Sequence, residues 1–263
     1  MQDQPGDDSA GDTLDAAAHR ERRALVTRPR DDARALAEAL ARRHVEAVIE
    51  PLLDIRYLDG PMPDLAGVQA VLCTSANGVR ALARLSPERG LPLLAVGDAT
   101  ASEARGRGFR AVASAGGTVA DLARLATRLL RPAGGRLLHV AGRAVAGDLA
   151  GALAVAGFAV DRAVLYEARP AAALGAETVR LLRQEKIDFA LFLSPRTATI
   201  FARLALTAGL GAATGTVTAI ALSAAADEPL AGLAWHRRLV AARPDQDSLL
   251  QALDRALGDG GSR

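Results

Sequence analysis

One pattern recurs along this chain: a short unbroken apolar run, a turn of glycine or small hydroxyl residues, then an amphipathic stretch. Residues 68–73 (VQAVLC) enter the turn TSANG at 74–78 and then a helical pattern over 79–85. The same succession is read at 93–96, 97–98 and 99–105, at 136–140, 142–147 and 148–156, and at 189–193, 194–195 and 197–206. Apolar runs without alternation are what strands look like when both faces are covered, as in a parallel sheet between helix layers. Further strands are expected at 24–27, 47–49, 52–57, 109–113, 160–166, 217–222 and 238–241, with helices at 33–43, 119–130, 177–184, 223–230 and 248–257. Asp31 and Asp32 are expected to cap the first helix and Asp247 the last. So many strands exceed one ordinary sheet, so the expectation is two doubly wound α/β domains.

Three pairs of segments support a duplication: 71–82 with 191–204, 93–104 with 217–230, and 24–30 with 137–143. Any strand–turn–helix unit resembles any other, so the resemblance is also compatible with no duplication at all. Two extended segments, 51–58 and 163–170, bracket the middle of the chain. Read as crossovers, they make the first domain discontinuous, 22–54 plus 170–257, around a second domain at 58–164. Residues 55–57 and 165–169 then form connector strands, which would permit closure around a ligand.

Composition narrows the chemistry. Half of the residues are hydrophobic but only 3% aromatic, so the core must rest on Ala, Leu and Val. The formal charge is +2, and the arginines are scattered rather than clustered, so no nucleic-acid partner is expected. Cys73 is the single cysteine, which excludes an internal disulfide and a cysteine metal cage. His19, His44, His139 and His236 lack metal-ligand spacing, so no metal is expected. Residues 1–21 are polar and acidic, without the apolar stretch of a secretory signal, and are expected to be a disordered tail. No apolar run is long enough to span a membrane, and a cytoplasmic location is expected.

Ligands of open α/β sheets bind beyond the carboxyl ends of the strands. The turns there are Thr27-Arg28, Thr74 to Gly78, Gly97 to Thr100, Gly116 to Thr118, Gly142-Arg143, Ser194 to Thr197 and Ser223. Free N–H groups at such helix starts favour an anion by about 0.3–1 kcal/mol each. Several in one site would receive a ligand with many carboxylates or phosphates. Taken singly, Gly97, Gly117 and Gly142 more often serve as tight turns than as ligand contacts, and Thr74 and Ser194 more often as helix caps. No P-loop, dinucleotide fingerprint or G-x-S-x-G elbow is present.

The order of these turns is more specific than any one of them. VTRP at 26–29, TSANGV at 74–79, AVGDATA at 95–101, GGT at 116–118, YE at 166–167 and FLSP at 192–195 together resemble uroporphyrinogen-III synthases over about residues 24–257. The resemblance implies two flavodoxin-like doubly wound parallel-sheet domains joined by a two-stranded connector. It implies a cofactor-free monomer acting as a carbon–oxygen lyase on hydroxymethylbilane, a linear tetrapyrrole with eight carboxylates. A transient hand-over from the preceding pathway enzyme also follows from it.

Loss of the hydroxymethyl oxygen from ring A would leave an azafulvene, which ring D attacks through its substituted carbon. The resulting spiro intermediate fragments and recloses with ring D inverted. Because the free bilane closes without inversion, the enzyme must enforce a geometry, which is catalysis by positioning with electrostatic support. The resemblance implies a catalytic role for Tyr166 at the leaving hydroxyl. Substrate contacts are expected at Thr27, Arg28, Thr74, Ser75, Asn77, Gly78, Gly97, Thr100, Gly117, Thr118, Gly142, Arg143, Ser194 and Thr197.

Three places depart from the family pattern. Cys73 stands before TSANG where an aromatic is usual, Arg196 follows Pro195 where a small hydroxyl residue is usual, and 221–230 lacks a glycine turn. A non-catalytic two-lobed binding or sensor module for a polyanion is the alternative reading, since fold alone does not fix function.

Overall fold

A computed structural model describes residues 21–144 and 147–259. The expected tail at 1–21 lies, except for Glu21, outside the described residues. The chain begins with β1 (Arg22–Val26), α1 (Arg30–Ala41) and β2 (Val45–Ile49). A middle section follows: β3 (Leu53–Tyr57), β4 (Val68–Cys73), α2 (Ala76–Leu85), β5 (Leu93–Ala95), α3 (Asp98–Gly106), β6 (Val112–Ser114), α4 (Val119–Leu129), β7 (Arg136–Gly142), α5 (Leu149–Val155) and β8 (Val160–Pro170). The last section holds α6 (Ala176–Arg183), β9 (Phe189–Phe192), α7 (Pro195–Thr207), β10 (Thr218–Ala221), α8 (Ala224–Asp227), β11 (Arg237–Val240) and α9 (Gln246–Asp259).

These elements form two compact units. One takes the chain up to Leu52 and again from Ala171, and the other is Leu53–Pro170. In the first unit five strands lie in the order β2-β1-β9-β10-β11, all parallel. Counted along the unit this is 2-1-3-4-5, the flavodoxin-like order. In the second unit the parallel strands lie β8-β7-β4-β5-β6, with β3 added antiparallel on β8. Equating β7 and β8 with β1 and β2, and β4, β5 and β6 with β9, β10 and β11, gives the same layout with the chain order circularly shifted. The three sequence echoes fall on this correspondence: β4–α2 on β9–α7, β5–α3 on β10–α8, and β1 on β7.

Two helix layers cover each sheet. In the first unit Leu36 and Leu40 of α1 pack with Leu249 and Leu253 of α9 over Val26 and Leu191, and the four leucines are fully buried. Truncating such a leucine to alanine typically costs about 2–5 kcal/mol. On α7, Phe201 meets Phe192 of β9 edge-on at 5.2 Å, and Trp235 lies 5.9 Å from both rings. These three rings gather much of what little aromatic content the chain has. In the second unit Val79 and Leu82 of α2 pack on one sheet face, and Leu122, Leu149 and Leu153 on the other.

Several boundaries depart from expectation for local reasons. Helix α1 starts at Arg30 after Pro29, whose fixed φ suits a helix entry; Asp31 and Asp32 lie in its first turn and bond no cap. In α9 the capping oxygen belongs to Asp245, which accepts the Ser248 N–H at 2.7 Å, rather than to Asp247. The helix expected to 230 is α-helical only to Asp227 and tightens to a 3₁₀ turn at Glu228–Gly232, where Pro229 lacks an N–H. Strand β6 falls at Val112–Ser114, because Phe109 is instead tied to α3 through its N–H on Ala104 O. The extended segments expected as crossovers lie in β3 and β8, which pair antiparallel from Leu53↔Pro170 to Tyr57↔Tyr166.

Candidate functional site

In the second unit the turns that follow β4, β5, β6 and β7 all leave the carboxyl edge of one parallel sheet. Ser75 caps α2 by accepting the Gly78 N–H at 3.3 Å. Thr118 and Asp121 form a reciprocal capping box at α4, and the hydrogen bonds from Thr118 hold the Asp121 carboxyl below its ordinary range. Gly97 precedes α3 without a side-chain cap, so the first amides of that helix are not satisfied by it. A Cβ at Gly97 would lie 3.8 Å from the Gly117 nitrogen, so the β5 and β6 turns are neighbours. Gly78 is close-packed, since a Cβ there would come within 3.1 Å of the Val140 carbonyl oxygen. Glycine at 78 thus lets the start of α2 settle against the end of β7.

Tyr166 is brought to this edge by the ladder between β7 and β8, where it is the partner of Gly142. Its ring is buried, with 9% exposure, and its hydroxyl lies 2.7 Å from Ser75 Oγ. Gly142 permits this, because a Cβ there would stand 2.9 Å from both Cε2 and Cζ of the ring. Arg143 donates its N–H to the Tyr166 carbonyl at 2.9 Å, and its Nε lies 3.3 Å from the Glu167 carboxylate. Arg169 also pairs with Glu167, and Arg162 donates to the carbonyls of Gly142 and Arg143. The structure therefore groups Ser75, Gly78, Gly142, Arg143 and Tyr166, residues spread over 91 positions of sequence.

Asn77 is half-buried, and its Oδ1 accepts from Arg80 at 3.1 Å. Arg80 is buried and also pairs with Glu103 of α3 at 2.8 Å. Burial alone would raise the Glu103 pKa, but hydrogen bonds from Arg80 and Arg107 outweigh it and hold the carboxyl below its usual range. Neither Arg80 nor Glu103 stands out in the sequence, where an arginine in an amphipathic helix reads as solvated. The available signal is that Arg80 falls between Val79 and Ala81 on the buried side of α2.

The remaining expected contacts divide by burial. Thr74 is half-buried and Thr118 exposed, whereas Thr100 is buried at the start of α3. In the first unit Thr27 is fully buried and donates its hydroxyl to the Leu191 carbonyl at 2.9 Å, tying β1 to β9. Arg28 approaches Asp32 at 3.9 Å. Ser194 caps α7 by accepting the Thr197 N–H at 3.2 Å, and Thr197 is itself buried. Among the described residues no His, Cys, Asp and Glu cluster could hold a metal ion, and no helix is long and apolar enough to cross a membrane.

Fold and site together define a protein of two flavodoxin-like α/β units whose strand-end turns present capped helix N-termini and one buried tyrosine. A family model described as Uroporphyrinogen-III synthase HemD matches residues 34–251, and the chain belongs to that family. It is accordingly a cyclising enzyme of tetrapyrrole synthesis with a small-molecule substrate, in the pathway to haem.

Among solved structures, a mutant uroporphyrinogen III synthase from the extremely thermophilic bacterium Thermus thermophilus is 23% identical, with a TM-score of 0.52, covering 90% of this chain and 99% of that one. The uroporphyrinogen-III synthetase of Helicobacter pylori is 16% identical, with a TM-score of 0.61 and the same coverage of both chains. These likenesses bear on the fold. No curated protein matches the chain.

Proposed function

We propose that the chain converts hydroxymethylbilane to uroporphyrinogen III and water as a hydro-lyase, using the carboxyl edge of the second unit's sheet as part of the substrate site. The observation that supports this reading most is the meeting of Tyr166 with Ser75 at the start of α2, on the sheet edge from which the turns into α3 and α4 also leave. Helix starts favour carboxylates, and the substrate carries eight. Arg143 adds a planar fork able to take a carboxylate in two hydrogen bonds.

Tyr166 is the helper at the leaving group. Its phenol donates a proton to the hydroxymethyl oxygen of ring A while the pyrrole nitrogen lone pair expels that oxygen as water. The products of this step are a cationic azafulvene and a phenolate. Ring D attacks, the spiro intermediate fragments and recloses, and the proton released on rearomatisation returns to the phenolate. Hydrogen-bond donors around the carboxylates fix the folded bilane, so that inversion outruns direct closure.

Incubation with hydroxymethylbilane and chromatography of the oxidised porphyrins tests the reading. Isomer III is expected. Isomer I alone would contradict the function and leave the polyanion-binding module as the better reading.

A further inference from the structure

We infer that Ser75 is a positioning residue that acts through Tyr166, as the donor that orients the phenol and holds the phenolate formed when it gives up its proton. This rests on the role proposed above for Tyr166.

The inventory of donors and acceptors permits either direction of this bond, and the role proposed for Tyr166 selects the one in which Ser75 donates. Ser75 Oγ accepts the Gly78 N–H at 3.3 Å, which uses one lone pair and leaves its own O–H able to turn. The Tyr166 oxygen lies 2.7 Å away, the commonest distance for a hydrogen bond between hydroxyls. Were Tyr166 the donor in this pair, its single proton would be engaged by Ser75 and withheld from the substrate. With Ser75 as donor, the phenol can turn its proton to the leaving oxygen. The links then run from the first turn of α2 through Gly78 N–H, Ser75 O–H and the phenol. Each donor polarises the next, so the helix start helps the phenol act as an acid.

The phenolate left by proton transfer is acceptor-only. Its bond from Ser75 becomes charge-assisted, which is the stronger class. This gain appears only once the proton has moved, so it lowers the barrier to water loss rather than strengthening substrate binding. Gly142 completes the arrangement from the other side. A Cβ at 142 would lie 2.9 Å from two ring carbons and 3.2 Å from the phenol oxygen, and so would drive the ring off Ser75. Ser75 and Gly142 thus bound a slot that fixes where the phenol oxygen sits.

A double-mutant cycle on the purified full chain tests this, with hydroxymethylbilane as substrate and formation of isomer III as the readout, at a temperature where every variant is folded. Ser75→Ala is expected to lower kcat about tenfold or more while leaving KM within about twofold. Ser75→Thr, which keeps the hydroxyl, is expected to restore most of the rate. In the Tyr166→Phe background, Ser75→Ala is expected to add less than about a twofold loss, because the group it serves is gone. An equal loss in both backgrounds would overturn the inference and make Ser75 an independent contact, with the Tyr166 role intact. So would a Ser75→Ala enzyme with unchanged kcat. A Tyr166→Phe enzyme of full activity would instead remove the role of Tyr166 itself.

Discussion

Arg80 Nη2 lies 2.8 Å from Glu103 Oε2, a largely buried ion pair that joins α2 to α3 within the second unit. The same guanidinium reaches Asn77 in the first turn of α2. The first turn of α2 and the middle of α3 are therefore held by one cation. Removing Arg80 takes a charged hydrogen bond from a half-desolvated Glu103 and leaves Arg107 as its partner, a loss of about 1–3 kcal/mol. Arg80→Met is expected to lower stability on that order in urea unfolding, whereas Arg34→Met, whose side chain is exposed, is expected to leave the midpoint nearly unchanged.

Glu103 makes this pair pH-sensitive. Its folded pKa is depressed, so the stability it supplies is present above the ordinary carboxylate range and is lost as pH falls through the folded value. Thermal midpoints of the parent protein should fall more steeply below about pH 4 than those of Glu103→Gln. Parallel curves would remove this role.

His139 titrates with the opposite chemistry. It is buried on β7, its Nε2 has no hydrogen-bond partner among the described residues, and burial first, then Arg162, pushes its pKa below the ordinary 6.5. The unfolded chain binds a proton there before the folded one does, so folding stability declines as pH falls below 6.5 and levels off under the depressed folded value. His139→Leu is expected to keep the fold and to flatten the stability profile between about pH 7 and pH 5. An unchanged slope would assign that acid sensitivity elsewhere.

Cys73 ends β4 immediately before the TSANG turn, and burial pushes its thiol up to about 12. Thiolate is the reactive form. Iodoacetamide at about pH 8 is therefore expected to label Cys73 only after denaturation, with enzyme activity retained through the native incubation. Rapid native labelling would show that the end of β4 opens.

Much of the fold was legible because parallel strands buried on both faces leave unbroken apolar runs, and the small turns between them mark the strand ends. Pro229 and Pro29 shifted helix boundaries through backbone geometry that hydrophobic pattern does not carry. The site was legible as turns, not as contacts. Ser75 and Tyr166 are each visible in sequence, but their meeting depends on β8 lying beside β7 and β7 beside β4. Thr27 shows the converse: the residue type fits a ligand contact, yet its hydroxyl is spent on the Leu191 carbonyl inside the sheet. Arg80 was invisible because sequence alone does not separate a buried arginine with two partners from a solvated one.

Hydroxymethylbilane closes without help to isomer I, so each assay contains its own reference reaction. The most direct measurement is the ratio of isomer III to isomer I as the concentration of the chain is raised at fixed substrate. The account predicts a ratio that climbs with the amount of folded protein and returns to isomer I alone after heat denaturation. A ratio that stays at isomer I whatever the amount of folded protein would contradict it.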